Sequence, residues 1–324
     1  MTDLSIDSTA GQGTAKRRPG DADLRDYVRL LKPNVMSLSI FTALAGMLAA
    51  PSALHPVVAI AAMICIAAGA GAAGALNMWY DADIDKRMAR TALRPIPAGR
   101  VDGGDALGLG IGLAILSVGL LAIFTNLLAA ALLAFTIFFY AVIYTMLLKR
   151  STPQNIVIGG ASGAFPPMVG WAAATGELTL VPVLMFAIIF LWTPPHFWAL
   201  ALYRNGDYQR VSVPMMPVVA GEIATRRQVL LYALALFVVS LMPAFTIAGG
   251  PIYFAVALIG GVIFLRDSWL VARRTPEIAK GDRYRAEKRL FAYSIGYLFV
   301  LFAAFMAEAA FGGLVGVTSW PVWL

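Results

Sequence analysis

Ionisable residues are sparse in this chain of 324: Asp, Glu, Lys and Arg together make up 13%, roughly half the share a soluble globular domain carries. Cysteine occurs once, as Cys65, which excludes an intrachain disulfide and a thiolate metal cluster. Histidine occurs twice. Apolar residues fill the space, at 60% of the chain and a mean hydropathy of +0.76. That balance excludes an ordinary soluble domain and indicates a polytopic protein embedded in a lipid bilayer.

Apolar runs of about 20 residues, the length that crosses roughly 30 Å of hydrocarbon as a helix, recur along the chain. Nine are expected, at 35–54, 57–78, 106–125, 127–148, 155–174, 178–202, 229–247, 252–271 and 290–314. The fold class is therefore an all-α transmembrane bundle of nine helices spanning 24–324, preceded by a disordered cytoplasmic tail at 1–23 that is polar and without apolar periodicity. An N-terminus in the cytoplasm puts the segments up to 34 and at 79–105, 149–154, 203–228 and 272–289 on one side. They hold 6, 5, 2, 4 and 7 of the Lys and Arg residues, and Arg266, near the inner end of the eighth run, completes all 25. Cytoplasmic loops carry the basic excess, so this partition sets the orientation. The net charge of +7 reflects topology, and no nucleic-acid partner is implied.

Chemistry is expected at the cytoplasmic mouth, where the long loops of mixed charge lie. Asn77, Asp81 and Asp85 stand at i, i+4 and i+8, on one helix face at the end of the second run, with Asp83 pointing elsewhere. A carboxylate at mid-bilayer costs roughly 2.5–3.5 kcal/mol, so acids beside hydrocarbon persist with a partner. Hard oxygen ligands at this spacing suit Mg²⁺, which takes one or two carboxylates and completes its octahedron with water and substrate phosphate. A diphosphate substrate follows naturally, with Lys86, Arg90, Arg94 and Arg100 at hand to grip it. The competing reading is an interfacial loop whose charges pair among themselves. Asp207, flanked by Arg204 and Arg210, is the second acidic position, or equally a solvated turn. His196 follows Pro194 and Pro195 inside the sixth run, where the Pro pair is expected to break or kink the helix; the imidazole is either a hydrogen-bonded core group or part of a site. Lys149 and Arg150 end the fourth run, where snorkelling is the default. The fifth run is crowded with Gly, Ala and Ser, a sign of close helix packing or of room for a flat ligand.

The stretches NMWYDADIDKRMARTALRPIPAGR, YTMLLKRSTPQNIVIGGASGAFPPMVGWAAATG, FLWTPPHFWALALYRNGDY and VPMMPVVAG occur in that order. Together they resemble the heme-modifying branch of the UbiA superfamily of intramembrane prenyltransferases, over about 32–305. The Asn-x₃-Asp-x₃-Asp element is shared across the superfamily; WTPPHFWAL and QNIVIGGASGA mark the heme branch. In this chain the second acidic segment is reduced to Asp207, with Val211 and Ser212 where that branch commonly has Ala-Gly.

The resemblance implies a Mg²⁺-dependent transfer of a farnesyl group from farnesyl diphosphate to the 2-vinyl group of heme b, with addition of water, in the bacterial inner membrane. It implies Asn77, Asp81, Asp85 and Asp207 as metal ligands; Asp81, Asp85, Asp207 and His196 as catalytic residues; and Lys86, Arg90, Arg94, Lys149, Arg150 and Arg204 as substrate-binding residues. Tyr80, Tyr144, Trp192 and Trp198 are candidates to shield an allylic cation through their ring faces, Tyr144 and Trp192 counting with Asn77 among the substrate-binding residues. A downstream heme A synthase is the implied partner. The alternative within the superfamily is a prenyltransferase with an aromatic or quinone-precursor acceptor.

Overall fold

In hydrocarbon every backbone N–H and C=O must be satisfied within the protein, which leaves helices or closed barrels. The computed structural model describes residues 22–52, 54–88, 91–204, 214–312 and 320–323, and among them every regular element is helical. In order these are α1 (Leu24–Leu30), α2 (Pro33–Leu48), α3 (Pro56–Tyr80), α4 (Ala82–Asp85), α5 (Gly103–Phe124) and α6 (Leu127–Phe138), which continues as a π-helix over Phe139–Leu148. There follow α7 (Asn155–Ala164), α8 (Pro166–Thr175), α9 (Leu180–Tyr203), α10 (Met216–Val219) and α11 (Gly221–Leu241) with a 3₁₀ turn at Met242–Phe245. Last come α12 (Pro251–Ala272), α13 (Pro276–Gly281) and α14 (Arg285–Phe311). Local chemistry marks the ends. Asp102 and Asn126 cap α5 and α6 by accepting from Gly104 N (2.7 Å) and Ala129 N (2.9 Å), and Gly176 closes α8 at φ 75°.

Eight helices among the described residues are long and apolar enough to cross a membrane: α3, α5, α6 with its π continuation, α7 joined to α8, α9, α11 with its 3₁₀ turn, α12 and α14. The expected ninth, α2, has 16 residues, about 24 Å at 1.5 Å per residue and short of roughly 30 Å of hydrocarbon. The outer surface is apolar: Ile60, Ile115, Ile123, Leu127, Ile259 and Val262 stand exposed, as lipid-facing positions do.

Two expectations shift. The Pro pair of the sixth run does not end its helix: α9 passes through Pro194 and Pro195 for 24 residues. Thr193 Oγ1 donates to Ile189 O (2.8 Å), keeping a polar bond beside the amide positions proline leaves empty. The fifth run is interrupted instead, at Phe165, where Pro166 opens α8. In addition α11 begins at Gly221, eight residues before the expected 229, and this draws Arg226 into the helix. Fully buried, its guanidinium pairs with Glu287 of α14 and with Glu222 (3.2 Å).

Packing forms two linked cores. One gathers Trp171, Ile188, Trp198, Tyr253, Phe264, Phe302 and Phe305 around α9, α11, α12 and α14; the other joins α2, α3, α5, α6 and α8. Backbones meet at the crossing of α2 and α8, where a Cβ on Gly46 would strike Pro167 and one on Gly170 would strike Ala43.

Candidate active site

At the end of α3 the helical spacing of Asn77, Asp81 and Asp85 turns all three inward, and all three are buried. Asn77 Nδ2 donates to Asp81 Oδ2 (2.9 Å) and to Thr145 Oγ1 (2.9 Å). Asp81 Oδ2 also accepts from Lys149 Nζ, and Asn77 Oδ1 accepts from Lys32 Nζ. Arg94 NH1 pairs with Asp85 Oδ2 at 2.7 Å, while Thr91 Oγ1 donates to the Asp85 carbonyl (3.0 Å) and pins the loop. Arg150 grips Asp83 through both of its terminal nitrogens (2.9 and 2.7 Å), lies over the Tyr80 ring at 4.9 Å, and stands 3.7 Å from Asp81 Oδ1. These bonds hold the Asp83 carboxyl below the usual carboxylate range.

Position in this cluster depends on an irregular helix. In the π-helix Phe139–Leu148, Thr145 Oγ1 donates to Tyr140 O (2.7 Å) and Lys149 N to Tyr144 O (2.8 Å), both five residues back. The extra residue per turn rotates Thr145 and Lys149 onto α3, a use of π-turns common at functional sites. Lys32 arrives from the opposite direction: at φ 55° in the turn between α1 and α2, it sends its ammonium into the cluster. Burial lowers its pKa to about 7, helped by the neighbouring charges of Arg94 and Lys149 and opposed by Asp81 and Asp85. Lys32, Arg94 and Lys149 thus crowd together, and a polyanion would relieve their repulsion.

The same residues can hold a divalent cation. Asp81 Oδ1 is buried and accepts no hydrogen bond, an orphan that a hard cation satisfies. Among the described residues no group of three or more His, Cys, Asp or Glu forms a metal cage. A divalent cation on Asp81 and Asp85, with Asn77 beside them, would therefore need water and substrate oxygens to complete its shell, as Mg²⁺ commonly does. Asp207 and Arg90 lie outside the described residues.

His196 occupies a second locus on α9. Its ring is stacked between Trp192 (4.3 Å) and Phe291 of α14 (4.6 Å), and its Nδ1 is 2.6 Å from Ser294 Oγ. Ser294 Oγ lies equally close, 2.6 Å, to Phe291 O; with its proton on that carbonyl the hydroxyl accepts from His196 Nδ1 and leaves Nε2 with a free lone pair. Trp192 Nε1 donates to the Ser294 carbonyl (2.8 Å), so one residue of α14 orients both rings.

The structure brings Asn77, Asp81, Asp85, Arg94, Lys149 and Arg150 into one cluster, with Tyr144 on its π-helical wall, its ring 5.5 Å from Tyr140. It joins Trp192 to His196. Lys86 is exposed and forms no ion pair among the described residues, and Arg204 stands at the end of α9, where it lines a recess with Tyr203 and Lys288. Lys32, Thr145, Phe291 and Ser294 escape sequence reasoning; the one available signal was Lys32 itself, a lone cation next to Pro33 at the head of an apolar run.

A model of the family described as UbiA prenyltransferase matches residues 39–294. Over 290 residues the chain is 59% identical to a protein of Dinoroseobacter shibae named protoheme IX farnesyltransferase, covering 90% of this chain and 92% of that one. It is 57% identical over 312 residues to a protein of the same name from Parvibaculum lavamentivorans, covering 96% and 97%. In fold it is similar to a structure reported for digeranylgeranylglyceryl phosphate synthase, with a TM-score of 0.71, 17% identity and coverage of 88% of this chain and 98% of that one. It is also similar to a UbiA homologue from Archaeoglobus fulgidus bound to DMAPP and Mg²⁺, with a TM-score of 0.63, 14% identity and coverage of 85% and 100%.

Proposed function

The chain belongs to the UbiA prenyltransferase family, and from that membership we propose that it transfers a farnesyl group from farnesyl diphosphate to protoheme IX within the membrane. The observation that carries the acceptor's identity is near-full-length identity of 57–59% with relatives named for this reaction. The buried Asn77, Asp81 and Asp85 cluster ringed by cations supports the donor half.

In the reaction the C–O bond to diphosphate breaks and a C–C bond forms to the terminal vinyl carbon. Water supplies a hydroxyl to the inner vinyl carbon and releases a proton. Lys32, Arg94 and Lys149 meet the charge that grows on the leaving diphosphate, an interaction stronger in the transition state than before it. Asp81, Asp85 and Asn77, with Asp207 as a further carboxylate, would hold Mg²⁺, which would add to the neutralisation of that charge; UbiA homologues of similar fold bound to Mg²⁺ with DMAPP or GPP support this assignment. Tyr140 and Tyr144, their rings 5.5 Å apart, offer aromatic faces to the allylic cation. His196 contacts the tetrapyrrole through Nε2, its tautomer set by Ser294.

The cation-rich ends of the helices face the cytoplasm of a bacterial inner membrane, with α2 as a ninth crossing completed by its flanks and the N-terminus inside. A heme A synthase would take up the product. The test is direct: purified protein given protoheme IX, farnesyl diphosphate and Mg²⁺ should form the hydroxyethylfarnesyl product, and EDTA should stop it. Transfer to a quinone precursor but not to protoheme IX would refute the acceptor assignment.

A further inference from the structure

The corner between α12 and α14 is strongly basic, with seven Lys and Arg residues over 272–289. Of its three acids Glu277 is exposed in the first turn of α13, and the other two are already engaged. Asp282 is held by Arg274 NH2 at 2.5 Å, and Glu287 by Arg226 and, at 3.6 Å, by Arg274. Lys280, Arg283 and Lys288 are left with no ion pair among the described residues, and together with Tyr203, Arg204 and Tyr284 they line an open recess of about 460 Å³. The backbone is bent to make it. Arg283 and Tyr284 both adopt left-handed conformations, at φ 57° and 59°, which L side chains rarely take. They are tied down by Tyr284 N→Ala279 O (2.7 Å) and Arg285 N→Asp282 Oδ1 (3.2 Å).

The recess connects to His196 through aromatic rings. Tyr203 lies 6.1 Å from Phe291, which stacks on His196, and Lys288 stands over the Tyr203 ring at 5.8 Å. Tyr203 is seven residues beyond His196 on the same helix, about 10 Å along its axis. That span suits a porphyrin whose centre meets the imidazole and whose rim carries carboxylates. The diphosphate has its own cations across the bundle mouth, where Met88, just past Asp85, packs in one cluster with Ala201 of α9.

Building on the function proposed above, we infer that this recess is the carboxylate subsite of the tetrapyrrole acceptor: Lys280, Arg283 and Lys288 pair with its two propionates and set which edge of the ring turns toward the donor. Mutually repelling, unpaired cations favour a ligand with two separate negative groups, and planar carboxylates suit the guanidinium fork of Arg283.

The test uses full-length protein in discs of neutral lipid and two probes, protoheme IX and its dimethyl ester. The triple variant Lys280→Gln, Arg283→Gln, Lys288→Gln alters exposed side chains, where substitution disturbs stability little. Its Kd for protoheme IX should rise about tenfold or more, while its affinity for the dimethyl ester equals that of the wild type and farnesyl diphosphate binding is unchanged. A variant that binds protoheme IX normally, or that loses both heme forms alike, overturns the subsite. A loss that appears only in discs containing anionic lipid assigns the recess to a lipid headgroup and also overturns it. Wild-type protein that neither binds nor farnesylates protoheme IX removes the functional reading together with the subsite, whereas normal turnover with an indifferent triple variant removes the subsite alone.

Discussion

Ser294 Oγ lies 2.6 Å from both the Phe291 carbonyl and His196 Nδ1; with its proton on the carbonyl, the hydroxyl accepts from Nδ1 and Nε2 keeps its lone pair for a ligand. Losing such an orienting partner typically weakens a ligand-contacting histidine about ten- to a hundredfold. Ser294→Ala should therefore lower acceptor affinity by that factor and leave farnesyl diphosphate binding intact, with Ser294→Thr restoring much of the loss. Equal loss of both ligands would mark Ser294 as merely structural. At the other locus Asp81 carries the orphaned oxygen. Asp81→Asn should cost about 100-fold or more in turnover, checked by single-turnover product formation in a variant that still extracts as folded protein. The acid triplet was legible in the sequence because its members are four residues apart on one helix. Thr145 and Ser294 were not, because their partners lie 68 and 98 residues away.

The π-helix Phe139–Leu148 decides whether Lys149 and Thr145 reach α3 at all. Hydropathy sees only a 22-residue apolar span there, since one more residue per turn leaves the composition unchanged. The π-helix is matched by glycine on the helix beside it: a Cβ on Gly159 of α7 would run into the Tyr144 ring. Gly159→Ala should thus destabilise the fold by about 1–3 kcal/mol through overpacking and lower activity through displaced Lys149. Thermal unfolding of the purified protein with a parallel rate measurement checks this, and an unchanged midpoint with full activity would contradict it. The two Pro pairs teach a related lesson. Both were visible in sequence, yet the α9 pair is absorbed within a continuous helix while the other separates α7 from α8. In the bilayer core neighbouring groups can take up the bonds that proline releases, so the tertiary setting decides which pair breaks its helix.

Across the whole molecule, helical class and membrane embedding followed from composition and from the recurrence of apolar runs, while the number of crossings turns on α2, with only 16 residues. Eight helices among the described residues are long enough to cross, and the proposed nine crossings rest on α2 together with the one-sided placement of Lys and Arg. Reporter fusions at the N-terminus and at Gly176 should accordingly read opposite sides of the membrane, five crossings apart with α2 and four without it, and a shared side would break the assignment. At this scale the proposed function divides the bundle into two half-sites, the acid and cation cluster for the diphosphate and the imidazole held by aromatics for the tetrapyrrole. The most direct test of that division is to titrate farnesyl diphosphate with Mg²⁺, and separately protoheme IX, into Asp81→Asn and His196→Ala protein. The two-site account predicts crossed losses: Asp81→Asn loses metal-dependent diphosphate binding and keeps the heme spectrum, and His196→Ala does the reverse. Variants that lose both ligands together, or keep both, would contradict it.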